Sequence, residues 1–223
     1  RTCLKKIMST SILETLPELL LMGPGPSDTH PDVYRALSRP TLGHLDPVFI
    51  NIMDEVKGFI QQLAHTSNEL SIPISGTGSA GMEASFVNFL EPGEKVLVLV
   101  NGVFGTRMVD VAQRLGGVVD KLEFEWGTPV LVEAVEKQLA ENQYDMIAVV
   151  HAETSTGVCN PLPELAKVVK NSGALFIVDS VTGLGGLPVH LDDWGVDIFY
   201  SGTQKCLGCP PGLAPFSASP RAI

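Results

Sequence analysis

The sequence predicts an α/β protein whose mostly parallel sheet carries helices on both faces. Continuously apolar runs of strand length recur along the chain, and stretches with helical spacing of apolar residues separate them. Strands that are buried on both faces need such runs, and strand–helix alternation is typical of parallel sheets. The chain of 223 residues, with 44% hydrophobic and 18% charged residues, is long enough for one large domain of this kind.

The elements can be placed in chain order. An extended, turn-rich segment at 20–26 precedes a long helix predicted at 46–65, which has Pro47 in its first turn. A glycine-rich turn at 75–83 runs into a helix predicted at 82–90. Beyond it, apolar runs and helical periodicity predict strands at 95–100, 146–150, 174–178 and 196–200, with helices at 109–115, 129–143 and 163–172.

Composition narrows the class of protein. The formal net charge of −10 argues against a nucleic-acid-binding surface, which needs a basic face. No apolar run reaches the roughly 18–20 residues that span a bilayer, so we expect no membrane partner. Four cysteines are too few for a disulfide framework, which favours a reducing, intracellular setting, cytoplasmic or organellar. Cys206 and Cys209 form a single pair without the second pair that a zinc site needs, so we predict no metal.

Polar and aromatic residues follow four of the predicted strands. They occur at 101–105, 151–157, 179–181 and 201–205. In open parallel sheets, ligands bind outside the carboxyl ends of the strands. We therefore expect these four segments to meet at one site.

The residue types in these segments suit pyridoxal phosphate (PLP). The Lys205 amine can carry this cofactor as a Schiff base, and Asp179 can hold a proton on its ring nitrogen. The Phe104 ring can stack on the flat pyridine, and the glycine-rich turn at 75–83 can hold the phosphate at a helix N-terminus. Each residue alone has a common structural explanation, such as a surface lysine, a helix cap or a core ring. Their combination in chain order favours PLP. The chain lacks the combination that marks a dinucleotide-binding domain, namely a first strand, a clean G-x-G-x-x-G turn directly after it and an acid about 20 residues further on.

Several short motifs also carry a family resemblance. They are Gly-Pro-Gly-Pro at 23–26, Ser-Gly-Thr-Gly at 75–78, Asn-Gly at 101–102, Glu-Thr-Ser-Thr-Gly at 153–157, Asp-Ser-Val at 179–181 and Tyr-Ser-Gly-Thr-Gln-Lys at 200–205. Between residues 20 and 216 the chain resembles the class V (fold-type I) PLP aminotransferases, within them the alanine–glyoxylate and serine–pyruvate group.

The resemblance implies roles for individual residues. Lys205 would carry PLP and move the proton at the substrate α-carbon, and Asp179 would pair with the pyridinium nitrogen. Phe104 would take the stacking position that is commonly tryptophan in close relatives. The resemblance further implies ring packing by Val181, a contact to the phenolic oxygen by Thr154, phosphate contacts by Thr77, Gly78, Ser79 and Gln204, and a substrate-side lining by Gly25, Gly43 and His44.

The resemblance also implies an activity and an organisation. We expect transamination between a small amino acid, alanine or serine, and glyoxylate or pyruvate, in a homodimer. Residues 1–22 would form an N-terminal extension and residues 23–223 the PLP-binding large domain. The family's C-terminal small domain, which supplies the arginine for the substrate carboxylate, would be missing from this chain. Alternatives at this stage are a cysteine desulfurase, a kynureninase, an aminoethylphosphonate or phosphoserine aminotransferase, and a truncated fragment that binds PLP without catalysis.

Overall fold

The computed structural model describes residues 11–223. Residues 1–10, which include Cys3 and the first part of the predicted N-terminal extension, lie outside the described residues. The strands are β1 (Leu70–Ser75), β2 (Lys95–Val100), β3 (Val118–Glu123), β4 (Met146–Val150), β5 (Ala152–Glu153), β6 (Val158–Cys159), β7 (Leu175–Asp179), β8 (Ile198–Tyr200) and β9 (Leu213–Ala218). The helices are α1 (Pro31–Leu37), α2 (Pro47–Ala64), α3 (Gly78–Val87), α4 (Val103–Arg114), α5 (Val132–Glu141), α6 (Leu162–Ser172) and α7 (Leu191–Trp194).

Seven strands form one mixed sheet in the order β1-β9-β8-β7-β4-β2-β3. The four pairings from β8 to β3 are parallel, whereas β9 is antiparallel to both of its neighbours. The expectation of a mostly parallel sheet is therefore confirmed. The remaining strands, β5 and β6, form a small separate hairpin directly after β4.

Two apolar cores lie on the two faces of this sheet. Alternate residues of a strand point to opposite faces, so Leu97 and Leu99 of β2 enter one core while Val96 and Val98 enter the other. The first core packs against α5 and α6, and the second packs against α3 and α4. The expected placement of helices on both faces is thus confirmed.

The predicted bounds of most elements lie close to those observed. The predictions for β2 and β4 match their observed residues, and α2 begins after Asp46, whose carboxylate accepts a hydrogen bond from Val48 N at 2.8 Å. Two helix starts were wrong: α3 begins at Gly78 rather than 82, and α4 begins at Val103 rather than 109. In both cases the glycine-containing turn is itself the first turn of the helix.

None of the helices within residues 11–223 is long and apolar enough to cross a membrane.

Candidate active site

The carboxyl edge of the parallel strands opens into a cavity of about 270 Å³, here called the Asp179 cavity. It lies on the face that carries α3 and α4. Eight of the predicted cofactor residues line it together, namely Thr77, Gly78, Ser79, Phe104, Asp179, Val181, Gln204 and Lys205. Met82 of α3 and Arg107 of α4 complete the lining. Three of the four strand ends that we expected to meet, at 101–105, 179–181 and 201–205, converge here with the glycine-rich turn. The fourth, at 151–157, lines a neighbouring cavity instead.

Asp179 is the buried acid of this cavity, with only 2% of its surface exposed. Asp179 and Tyr200 are register partners at the ends of β7 and β8, so both side chains emerge on the same face. The Tyr200 hydroxyl donates to Asp179 Oδ2 at 2.8 Å, and Val181 N donates to Oδ1 at 2.8 Å. Burial raises the pKa of Asp179 to about 6, although these two hydrogen bonds act in the opposite direction. The fold therefore buries a carboxyl group whose ionised form would be stabilised by a cationic partner.

Tyr200 remains a hydrogen-bond donor to that acid. Burial and the neighbouring Asp179 charge raise the pKa of the Tyr200 phenol well above its ordinary value. The phenol is consequently protonated at neutral pH, and it can orient Asp179 towards the cavity.

The opposite end of the cavity carries unsatisfied hydrogen-bonding groups. The amides of Gly78 and Ser79 begin α3 and donate to no other described residue, and Thr77 makes no side-chain cap. A Cβ on Gly202 would lie 3.2 Å from Val181 Cγ1 and 3.5 Å from Gly78 N, so the absence of a side chain there keeps the turn close to the strand ends. Gln204 Oε1 is buried and, among the described residues, has no partner. Gln204 Oε1 is an acceptor, whereas the free amides of Gly78 and Ser79 are donors at a helix N-terminus and suit a phosphate.

Lys205 lies between the Asp179 cavity and a second one. The second cavity, here called the Gly25 cavity, measures about 410 Å³, and Lys205 lines both. Lys205 Nζ donates to Pro24 O at 3.1 Å, and Ser27 Oγ donates to Lys205 O at 2.9 Å. The segment around Gly25 is thus docked on the lysine, and a Cβ on Gly25 would lie 2.8 Å from Lys205 Nζ.

The other predicted residues occupy different places. Thr154 lines the Gly25 cavity rather than the Asp179 cavity, beside Gly25 itself. Gly43 and His44 lie in an exposed loop before α2 and line neither cavity. His151 is buried, and burial lowers its pKa to about 4; its Nδ1 lies 3.0 Å from Ser180 Oγ.

Three residues at the site were not assigned by the sequence analysis. Arg107 could have been found from helical spacing, because it lies one turn after Phe104 on α4. Tyr200 and Glu153 belong to recognised motifs, but no local pattern indicates that the Tyr200 hydroxyl reaches Asp179 or that the Glu153 side chain is fully buried. Only the packing of distant segments brings these groups together.

The chain is similar to proteins of a known family. A family model described as aminotransferase class V matches residues 29–220. A (S)-ureidoglycine–glyoxylate transaminase of Bacillus subtilis is 39% identical over 92% of this chain and 49% of its own length. An alanine–glyoxylate aminotransferase of Rattus norvegicus is 39% identical over 93% of this chain and 50% of its own length. The chain therefore spans about half the length of the curated relatives it matches.

Solved structures agree with this comparison. The crystal structure of an alanine–glyoxylate aminotransferase from Nostoc sp. superposes with a TM-score of 0.91 at 46% identity, over 93% of this chain and 55% of that one. The chain therefore shares the fold of that structure over the part that matches.

Proposed function

Because the chain belongs to the class V aminotransferase family, we propose that it binds PLP and transfers an amino group between a small amino acid, alanine or serine, and glyoxylate or pyruvate. Enzymes of this family are generally PLP-dependent. The observation that carries the proposal is the single cavity that holds an amine, a buried carboxyl group, an aromatic ring and a helix N-terminus.

The donors and acceptors of the Asp179 cavity fit PLP group by group. The free amides of Gly78 and Ser79 offer two donors to a phosphate. Asp179 offers an anion to a protonated ring nitrogen, which would restore its charged form. Phe104 and Val181 both line the cavity as apolar groups that could pack on a flat ring.

The chain's own residues then have distinct tasks. PLP, when bound, supplies an electron sink for negative charge at the substrate α-carbon. Asp179 would keep the ring nitrogen protonated, and the Tyr200 hydroxyl would keep that carboxylate in place. Lys205 would hold the cofactor covalently. Once the substrate amine has displaced it, the free lysine amine would move the proton at the α-carbon, since its side chain lines both the Asp179 cavity and the Gly25 cavity.

The Gly25 cavity supports a small substrate. Its lining consists mainly of glycines and of short side chains such as Ala152, Ser27 and Thr182. Thr154, which we propose to contact the phenolic oxygen of PLP, lies on the same side. The relatives named above act on glyoxylate, which is itself a two-carbon acid.

A homodimer is part of the proposal. Large apolar side chains are exposed along the N-terminal third of the chain, among them Leu16, Leu20, Val48 and Phe59. Apolar surface of this extent usually marks an interface. Sedimentation analysis of the protein is expected to give twice the chain mass.

The cofactor assignment can be tested with a label. The protein with added PLP is expected to show a visible absorption band that borohydride bleaches, with the label on the peptide that contains Lys205. Lys205→Ala should abolish the label, whereas Lys121→Ala, at an exposed lysine of the edge strand β3, should retain it. A label in the Lys205→Ala variant would contradict the assignment.

The substrate assignment needs a separate assay. We expect alanine and glyoxylate to yield pyruvate and glycine, and cysteine to yield no sulfide. Release of sulfide without amino transfer would instead indicate a desulfurase.

A further inference from the structure

Glu153 is a fully buried acid beside the site that has no task in the proposed function. Its side chain has 0% of its surface exposed, and it lies at the end of β5, one residue before Thr154. A buried carboxylate is costly unless hydrogen bonds satisfy it. The partners of Glu153 therefore indicate what it does.

Those partners are the first amides of α4. Glu153 Oε2 accepts from Phe104 N at 3.2 Å and from Gly105 N at 3.4 Å. Ser155 Oγ accepts from Val103 N at 3.0 Å and itself donates to Glu153 Oε1 at 2.7 Å. All three amides at 103–105 are thus satisfied by Glu153 at the end of β5 and by Ser155 in the turn that follows.

The chain supplies no local cap in their place. The residue before α4 is Gly102, which has no side chain and makes no cap hydrogen bond. A Cβ at Gly102 would lie 2.7 Å from Ser155 Oγ and would overlap the Glu153 side chain. The Asn-Gly pair at 101–102 therefore leaves room for an acid from about fifty residues further along the chain. The dipole of α4 also favours a negative charge at this position, which lies at the helix N-terminus.

Two residues of the proposed cofactor site depend on this cap. Phe104, which lines the Asp179 cavity, donates its backbone hydrogen bond to Glu153. Thr154, which lines the Gly25 cavity, follows Glu153 directly in the chain. We propose that Glu153 is a positioning residue that holds the Phe104 ring and the Thr154 hydroxyl at a fixed separation across the cofactor. This inference rests on the proposed function, because it assigns Glu153 a role toward PLP.

Glu153→Gln is the sharpest test, because the amide keeps the size of the side chain and replaces one acceptor oxygen by a donor. Either the α4 amides or the Ser155 hydroxyl and amide then lose their partner. Asp197→Asn is the control at a second buried carboxylate. Asp197 is 4% exposed and directly precedes β8, at the amino ends of the parallel strands, where it accepts from Phe176 N at 2.9 Å and pairs with Arg221. Both variants should lose stability in urea.

The two variants should differ in how they hold PLP. For Glu153→Gln we expect PLP affinity about tenfold weaker than in the wild type and a reduced visible circular dichroism band of the bound cofactor. Amide exchange at 103–105 in the cofactor-free protein should accelerate. Asp197→Asn should keep the affinity, the band and that exchange rate. Should Glu153→Gln fail to fold, Ser155→Ala, which keeps the charge and removes the Val103 cap, should show the same changes with smaller size.

The outcomes separate the two proposals. If the wild type binds PLP and Glu153→Gln binds it within twofold with an unchanged dichroism band, the inference is wrong and the proposed function stands. A wild type that binds no PLP refutes the proposed function and the inference with it. Equal loss of affinity in Glu153→Gln and Asp197→Asn would make the effect one of general stability and would also overturn the inference.

Discussion

Replacing Asp179 by asparagine is expected to stabilise the cofactor-free protein at neutral pH while removing its affinity for PLP. Asp179 is 2% exposed, so its ionised form is poorly solvated. Asparagine has nearly the same shape, and its Oδ1 can still accept from Val181 N. The Tyr200 hydroxyl can rotate to accept from the new amide, so the amide has a partner, while the Tyr200 proton loses Asp179 Oδ2 as its acceptor.

The magnitude follows from the pKa of Asp179, which burial raises from 3.8 to about 6. A raised pKa means that folding favours the protonated form. The contribution of protonated Asp179 to the free energy of unfolding is fully present below about pH 4. It is lost as the pH rises through about 6 and is absent above it. Compared with a side chain that stays neutral, Asp179 therefore costs the native state about 3 kcal/mol at pH 8 and roughly half of that at pH 5.

Urea unfolding of the cofactor-free wild type and variant at pH 8 and pH 5 measures this difference. We expect Asp179→Asn to gain about 3 kcal/mol at pH 8 and roughly half of that at pH 5. PLP affinity should fall, because the ring nitrogen loses its anionic partner. A variant less stable than the wild type at pH 8, or a gain independent of pH, would refute the argument from burial.

Two further substitutions test the neighbours of this group. Gly25→Ala should block PLP attachment to Lys205, because Gly25 has φ +128° and its Cβ would lie 2.8 Å from Lys205 Nζ. The control Gly43→Ala, whose Cβ would have no atom within 4 Å, should be labelled normally by PLP and borohydride. Equal labelling of both glycine variants would contradict the proposed position of the lysine. Tyr200→Phe should lower the free energy of unfolding by about 1–3 kcal/mol at pH 8 and by less at pH 5, since it removes a donor from ionised Asp179. A loss of equal size at both pH values would show that the hydrogen bond does not serve the charged form.

The centre of the sheet could be predicted from the sequence because burial there is complete. All five residues of β4 and five of the six in β2 are buried, so each strand appears as an unbroken apolar run. The sequence analysis did not identify β1, β3 and β9. β1 contains Pro73 at an edge of the sheet, and β3 at the other edge is largely exposed, so neither carries the apolar run that marks a central strand.

The antiparallel strand β9 could not be predicted from the sequence for a different reason. Its residues are almost all buried, yet its direction depends on which strand it joins rather than on its own composition. The local sequence of α4 is likewise insufficient to locate its start, since the groups that satisfy its first amides come from Glu153 and Ser155. Local sequence patterns are therefore enough to predict the central parallel strands, whereas the start of α4 depends on long-range hydrogen bonds.

The site follows the same division. Lys205, Asp179 and Phe104 could be predicted because topology alone brings strand ends to one edge of the sheet. Tyr200 and Glu153 could not, because their importance lies in the electrostatics of the packed site: the Tyr200 hydrogen bond lowers the pKa of Asp179, whereas the charge of Glu153 raises it. Burial and the second acid make the ionised Asp179 unfavourable in the cofactor-free protein. A cationic ring nitrogen would relieve that repulsion, so Asp179, which weakens the cofactor-free protein, is the residue we expect to strengthen PLP binding.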